Sequence, residues 1–283
     1  MDTRVRTADG IELFARKLGS GGTAIIIPNA VSMAAPFERL AARHTVIFFD
    51  LRNRGRSDAV EDPALIARGV EHDVDDIETI RADFGIERAV LIGHSYIGLV
   101  IALYAMRHPE RVSRMIQISP PPHEFGHQYQ PPLSYTDERM SQIWADLQAL
   151  EPQRASLDPI EFCRKWWALA RPLFVANPAH AAGIADWGFC DLPNERNFMK
   201  HWMRNITPSL QRLHLAPEDF ARVTCPVLTI HGTKDRSAPY GAGVEWSERL
   251  PHGRLVTIEG VAHVPWVEAP DLFWSAVDAF LEG

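Results

Sequence analysis

Several short stretches of this chain are apolar at nearly every position, and that feature limits its fold most. The runs at residues 23–27, 45–49, 89–92, 115–118 and 227–230 do not alternate between apolar and polar side chains, and turn residues bound them. Strands that are covered on one face alternate; strands buried on both faces do not. Further β-rich runs stand at 11–16 and 255–258, and amphipathic stretches at 34–42, 70–84, 96–107, 244–250 and 270–281 fall between the runs. Strand followed by helix, repeated, predicts an α/β fold with a doubly wound, mostly parallel sheet.

The alternation stops between Pro120 and Pro217. That segment opens on Pro120, Pro121 and Pro122, has a second pair at Pro131 and Pro132, and reads as helices without a convincing strand. Five of the eight tryptophans lie in it, at 144, 166, 167, 187 and 202. Those aromatics have a plain use in packing inserted helices onto the main domain. Placed above the carboxyl ends of the strands, the same helices would roof the region where open α/β sheets bind ligands. The expected organisation is a core domain at 1–119 and 218–283 with a helical cap at 120–217.

Hydrophobic residues make up 46% of the 283 positions and charged residues 23%, so the chain can bury a core and is not intrinsically disordered. Its 29 basic against 36 acidic residues leave a net charge of −7, the wrong sign for a nucleic-acid partner. The start, MDTRVRTADG, carries no apolar stretch of signal-peptide length, which makes a cytoplasmic protein the expectation. Residues 90–106 approach the length of a short membrane span, but His94 and Ser95 interrupt them and Gly93 and Gly98 punctuate them. They read as a buried strand running into a helix, with no membrane partner. Cys163, Cys190 and Cys225 show no metal-site spacing and are expected to be reduced, structural thiols.

Three chemistry-bearing residues follow apolar runs. The first run ends in Gly93-His94-Ser95-Tyr96-Ile97-Gly98 with an apolar helix directly behind it. A serine at the apex of a tight strand-to-helix turn exposes its hydroxyl and aims the next backbone N–H at the same point. Residues 227–230 lead to Asp235, and residues 255–258 lead to His263. Taken singly, each has an ordinary use as helix cap, turn acid or loop histidine. Taken together, Ser, Asp and His occur in the chain order that a nucleophile, an orienting acid and a base take in one fold class. His94 and His231 are expected to be structural, and Asp50 and Asp58 to serve in turns or caps.

On these residues the chain resembles the α/β-hydrolase superfamily over nearly its whole length. Residues 50–57, DLRNRGRS, are similar to the family's DxRGxGxS loop; HGTKD at 231–235 looks like its acid loop; GVAHVPWVEAP at 260–270 looks like its histidine loop. Length, elbow and cap are most similar to the esterase and proline iminopeptidase-like branch. The resemblance implies a serine hydrolase with Ser95 as nucleophile, His263 as base and Asp235 as acid, and backbone N–H groups of Ala30 and Tyr96 as oxyanion donors. The substrate is then a small-molecule ester, with an N-terminal proline amide as the alternative. No metal or organic cofactor is expected, and no feature sets the oligomeric state. Departures from the family pattern are Pro28-Asn29-Ala30 where HG is usual, and Ile97 where the elbow's second glycine stands. Asparagine tolerates left-handed backbone, so Asn29 and Asn53 can each replace a glycine. Ile97 and Pro28 are also what a ligand-binding homologue without turnover would carry. His123-Glu124-Phe125-Gly126-His127 spells a zinc-protease motif, but prolines surround it and a glycine interrupts it, which is poor helix context.

Overall fold

The computed structural model describes every residue except Asn197, and of residues 185–188, 193, 198 and 199 the backbone only. Eight strands form one sheet in the order β1-β2-β4-β3-β5-β6-β7-β8: β1 Asp2–Arg6, β2 Glu12–Leu18, β3 Ala24–Pro28, β4 Thr45–Phe49, β5 Ala89–His94, β6 Val112–Ile118, β7 Val227–Gly232 and β8 Gly253–Ile258. From β4 to β8 neighbouring strands run parallel, while β2 joins β1 and β4 antiparallel. Successive side chains of a strand point to opposite faces. Accordingly, Ile26, Leu91 and Met115 enter one core with Val74, Ile77 and Val100, whereas Ile25, Ile27, Val90 and Ile92 enter a second core with Phe37, Phe273 and Val277. Both faces are covered, which is why these runs are continuously apolar. Each isoleucine withdrawn fully from water stabilises the fold by roughly 1.5–3 kcal/mol before entropy is counted.

The helices on the two faces are α1 Ala30–Phe37, α2 Val70–Asp83, α3 Tyr96–Arg107, and, after the segment between β6 and β7, Tyr240–Arg249 and Pro270–Glu282. Strand β1 is absent from the sequence reading because DTRVR is an edge strand that buries only Val5. One inward side chain leaves no apolar run to detect. Helix α1 begins at Ala30, earlier than its amphipathic pattern suggests, since the stretch 38–42 continues as a 3₁₀ turn. Among the described residues, 120–217 hold helices and no strand, the longest being Glu138–Leu150 and Pro159–Ala170. No helix of the described residues is long and apolar enough to cross a membrane.

The thiols depart from expectation. Cys163 and Cys190 are joined in a disulfide with Cα atoms 5.8 Å apart, and only Cys225 is free and buried. Helix Pro159–Ala170 and the turn at 189–192 meet only in the folded chain, so a separation of 27 residues carried no warning.

Candidate active site

Strand order reverses at β3: the chain passes from β3 to β4 on one side and then to β5 on the other. Such a switch point opens a crevice beyond the carboxyl ends of the strands, and Ala30 and Ser95 stand on either side of it. Ser95 has φ 55° and ψ −130°, a conformation that costs a non-glycine residue energy and is held by its surroundings. Its N–H donates to Ile118 O of the neighbouring strand at 2.8 Å. A Cβ on Gly93 would fall 2.6 Å from Ile97 O, so the turn closes only with glycine there.

No such restriction applies to Ile97, whose side chain is buried in the core beneath the sheet. Ile97→Gly should therefore lower stability by roughly 2–5 kcal/mol, from lost contacts and added backbone freedom. Chemical denaturation would measure it, and an unchanged or raised midpoint would mean that Ile97 strains the turn.

Asp235 and His263 are brought together. His263 Nδ1 lies 2.7 Å from Asp235 Oδ2, and both residues are 1% exposed. Asp235 Oδ1 accepts the N–H groups of Ser237 and Ala238 at 2.8 and 2.9 Å. A second ring faces the same carboxylate: His231 Nε2 is 3.3 Å from Asp235 Oδ2 and 3.0 Å from Ala238 O. Burial by itself would raise the Asp235 carboxyl, but the charge of His263 and the bonds from both imidazoles outweigh it and hold the group well below the usual range. Gly232 lets the histidine loop cross closely, since a Cβ there would meet Val261 O at 2.2 Å.

The histidine loop is held from two sides. His263 N–H donates to Phe174 O at 3.1 Å, and Glu268, with its side chain 2% exposed, accepts from Ala262 N at 2.7 Å and from Ala176 N at 2.9 Å. His94 Nε2 lies 2.9 Å from His263 O, with its ring 4.5 Å from the His263 ring. Burial first, then the neighbouring His263, pushes His94 well below its ordinary pKa, so it is a neutral donor to that carbonyl. Among the described residues no hydrogen bond joins Ser95 to His263. Ser95, Tyr96 and Asp235 line one cavity of about 410 Å³; Ala30 and His263 are not in its lining.

Ala30 and Tyr96 are the first residues of α1 and α3, where backbone N–H groups lack intrahelical acceptors. Asn29 takes the left-handed conformation at φ 69°, as does Asn53 at φ 61°. Next to Ala30, Val31 N–H is held by Asp50 Oδ1 at 2.8 Å, and Asp50 Oδ2 accepts from Arg56 N at 3.0 Å. Asp58 accepts from Glu12 N of β2 at 3.1 Å, which ties its loop to a distant strand in place of the turn or cap role expected of it. The arginine loop is also bound from the helical segment. Glu195, 5% exposed, accepts from Arg54 Nε and Nη2 at 2.8 and 3.0 Å and from Gly55 N at 2.7 Å. Residues 121–130 contain no helix, so His123 and His127 do not share a helix face; His123 lies 3.1 Å from Glu245 and His127 meets the Tyr129 ring edge to face.

Glu268 and Asp73 carry no local signal as site residues, and neither the place of His231 beside Asp235 nor that of Glu195 on the arginine loop could be read from spacing, because their partners come from distant segments. Asp73 of α2 accepts the Tyr96 hydroxyl at 2.6 Å, and burial pushes its carboxyl up to about 7. A carboxyl raised from 3.8 in this way contributes stability that is present below about pH 4 and lost as pH rises through about 7. Asp73→Asn keeps an acceptor for Tyr96 and removes the titration. Its melting temperature relative to the unmodified protein should climb between pH 5 and pH 8; a constant difference would rule out Asp73 as the titrating group.

Fold and site together define a hydrolase class, in which a strand-to-helix serine turn and a paired acid and histidine share one sheet edge. The family described as the alpha/beta hydrolase fold matches residues 27–270. The chain belongs to that family. It is 26% identical over 264 residues to a (lyso)-N-acylphosphatidylethanolamine lipase of Mus musculus, covering 85% of this chain and 72% of that one. It is 23% identical over 292 residues to a bifunctional esterase/perhydrolase of Acinetobacter calcoaceticus, covering 94% of each. Its fold is shared with a 2-hydroxy-6-oxo-6-phenylhexa-2,4-dienoate hydrolase from Rhodococcus sp. strain RHA1, at a TM-score of 0.75 and 20% identity over 100% of this chain and 99% of that one.

Proposed function

We propose that this hydrolase is a serine esterase that cleaves carboxylic esters of small or medium size through an acyl-enzyme. The 2.7 Å bond between Asp235 and His263, on the sheet edge that carries Ser95, is the observation that supports it most. Asp235 holds the proton on His263 Nδ1, leaving Nε2 free to take the Ser95 proton as the hydroxyl attacks the ester carbonyl. The N–H groups of Ala30 and Tyr96 stabilise the oxyanion, the alcohol leaves, and water activated by the same imidazole releases the acid. Residues 120–217 act as a cap, a role supported by Phe174 O on the His263 backbone and by Met140, Trp202 and Leu213 in the cavity wall.

The relatives named as a lipase and an esterase/perhydrolase agree with ester chemistry. A proline aminopeptidase would need a free carboxylate for the substrate ammonium, and the candidates that residues 120–217 offer are Glu161, Asp186, Asp191 and Glu195. Glu161 pairs with Lys165 and Asp191 with Arg164 on exposed surface, while Glu195 is bound to Arg54. The Asp186 side chain lies outside the described residues. None of the three described candidates lines the cavity, which favours the ester reading. A fluorophosphonate probe tests it against a homologue without turnover: covalent labelling at Ser95 supports the esterase, and an unlabelled Ser95 in folded protein refutes it.

A further inference from the structure

His123 opens the zinc-protease spelling but has no helix to sit on, and it stands in the wall of the same cavity as Ser95. Its place is set close to the reactive turn. Pro120 packs on Gly98 in the first turn of α3, since a Cβ on that glycine would come within 3.2 Å of Pro120 Cβ. Trp246 Nε1–H donates to Pro121 O at 2.8 Å, and the His123 ring meets the Phe220 and Trp246 rings edge-on, with centroids 5.3 and 6.2 Å away. The imidazole, 9% exposed, is thereby fixed in position.

Its two ring nitrogens differ. Nδ1 is enclosed and lies 3.1 Å from Glu245 Oε2, off the line of a hydrogen bond. Glu245 accepts Arg249 Nε–H on Oε1 at 3.0 Å and a short bond from the Tyr129 hydroxyl on Oε2. Burial alone would raise the Glu245 carboxyl, but those two bonds and the neighbouring imidazole outweigh it and hold the group below its ordinary value, so it is ionised at neutral pH. A carboxylate beside Nδ1 favours the tautomer with its proton there, which leaves the lone pair on Nε2. Nε2 is neither enclosed nor hydrogen-bonded among the described residues, so it opens on the cavity.

A substrate that fills the cavity takes Nε2 out of water. An apolar group set against it leaves the lone pair unpaired, whereas a hydroxyl restores a hydrogen bond. Resting on the ester reading above, we propose that His123 determines specificity: Nε2 accepts a hydrogen bond from a substrate hydroxyl, and the esters this site prefers are hydroxylated. One well-placed acceptor in a wall that also holds Leu99, Leu210 and Leu213 orients such a substrate without charge.

The test uses pairs of esters in which a methyl group replaces the hydroxyl. Ethyl 3-hydroxybutyrate against ethyl 3-methylbutyrate puts the hydroxyl on the acyl part; 2-hydroxyethyl butyrate against propyl butyrate puts it on the alcohol. Titration of the released acid gives kcat/KM at about pH 8.5, where an ordinary imidazole, with a pKa of about 6.5, is unprotonated. In at least one pair the hydroxyl ester should exceed its methyl isostere by about tenfold or more, and that pair identifies which part of the substrate meets His123. His123→Phe should bring the ratio to about one, since it weakens the hydroxyl ester and relieves the isostere of an unpaired nitrogen. Glu245 keeps Arg249 and Tyr129 in that variant. Should His123→Phe not fold, the Nε2 resonance of His123 in Ser95→Ala protein gives a second readout: the saturating hydroxyl ester should shift it and the isostere should not. Ratios near one in both pairs, a ratio that survives His123→Phe, or an Nε2 resonance that responds alike to both esters overturn the assignment. Hydrolysis of neither member of a pair, or hydrolysis that persists in Ser95→Ala, overturns the ester reading instead, so the two failures are distinguishable.

Discussion

Ser95→Ala is expected to lower kcat on p-nitrophenyl esters by about 10⁴-fold or more while the protein stays folded. The proposed reaction has one nucleophile, and the hydroxyl removed makes no hydrogen bond among the described residues that the fold depends on. What holds the turn is backbone: Ser95 N–H to Ile118 O and Gly98 N–H to Ser95 O, both at 2.8 Å. Alanine preserves both bonds. It also inherits the positive φ, so the substitution neither relieves nor adds much strain. Steady-state kinetics with a circular-dichroism control would decide the matter, and near-normal turnover by a well-folded variant would remove Ser95 from the chemistry.

The second large effect belongs to Asp235→Asn, with an expected loss of about 10⁴-fold in kcat. The reason lies in which oxygen does what. Oδ1 accepts two backbone N–H groups, from Ser237 and Ala238, and only a carbonyl oxygen can take that place. The asparagine amide nitrogen must then occupy the position of Oδ2, facing His263 Nδ1 and His231 Nε2. An NH₂ group there donates to His263 Nδ1, forces the proton to Nε2, and leaves no lone pair for the Ser95 proton. His231 Nε2–H, which lies 3.0 Å from Ala238 O, would meet a donor instead of an acceptor, adding a stability cost of about 1–3 kcal/mol. A nitrogen-resolved NMR spectrum of His263 should show the changed tautomer. Intact activity, or an Nδ1-protonated ring in the variant, would defeat this account of Asp235.

The sheet and the reactive turn were legible because both depend on short-range pattern. A strand covered on two faces must be apolar at successive positions, so Ile25 to Ile27 and Val90 to Ile92 identify themselves without reference to any neighbour. Where one face is open and the strand is short, as in DTRVR, the pattern fades and β1 escaped notice. The cysteines failed in the same way. Nothing local distinguishes Cys163 and Cys190 from Cys225, and only the approach of two segments 27 residues apart pairs them.

What the sequence determined by itself was the doubly wound fold, the position of the serine turn, and the order in which Ser95, Asp235 and His263 follow their strands. Those properties are written in apolar periodicity and in the small residues that a tight turn requires. The tertiary structure alone decided which charges face one another. Asp235 shared between two imidazoles, Asp137 matched to Arg236, Glu195 clamped on the arginine loop and Asp73 under Tyr96 all join residues distant in the chain. A side chain's charge is local, but its electrostatic energy depends on burial and on partners within a few ångströms, which chain folding brings together and sequence spacing does not record.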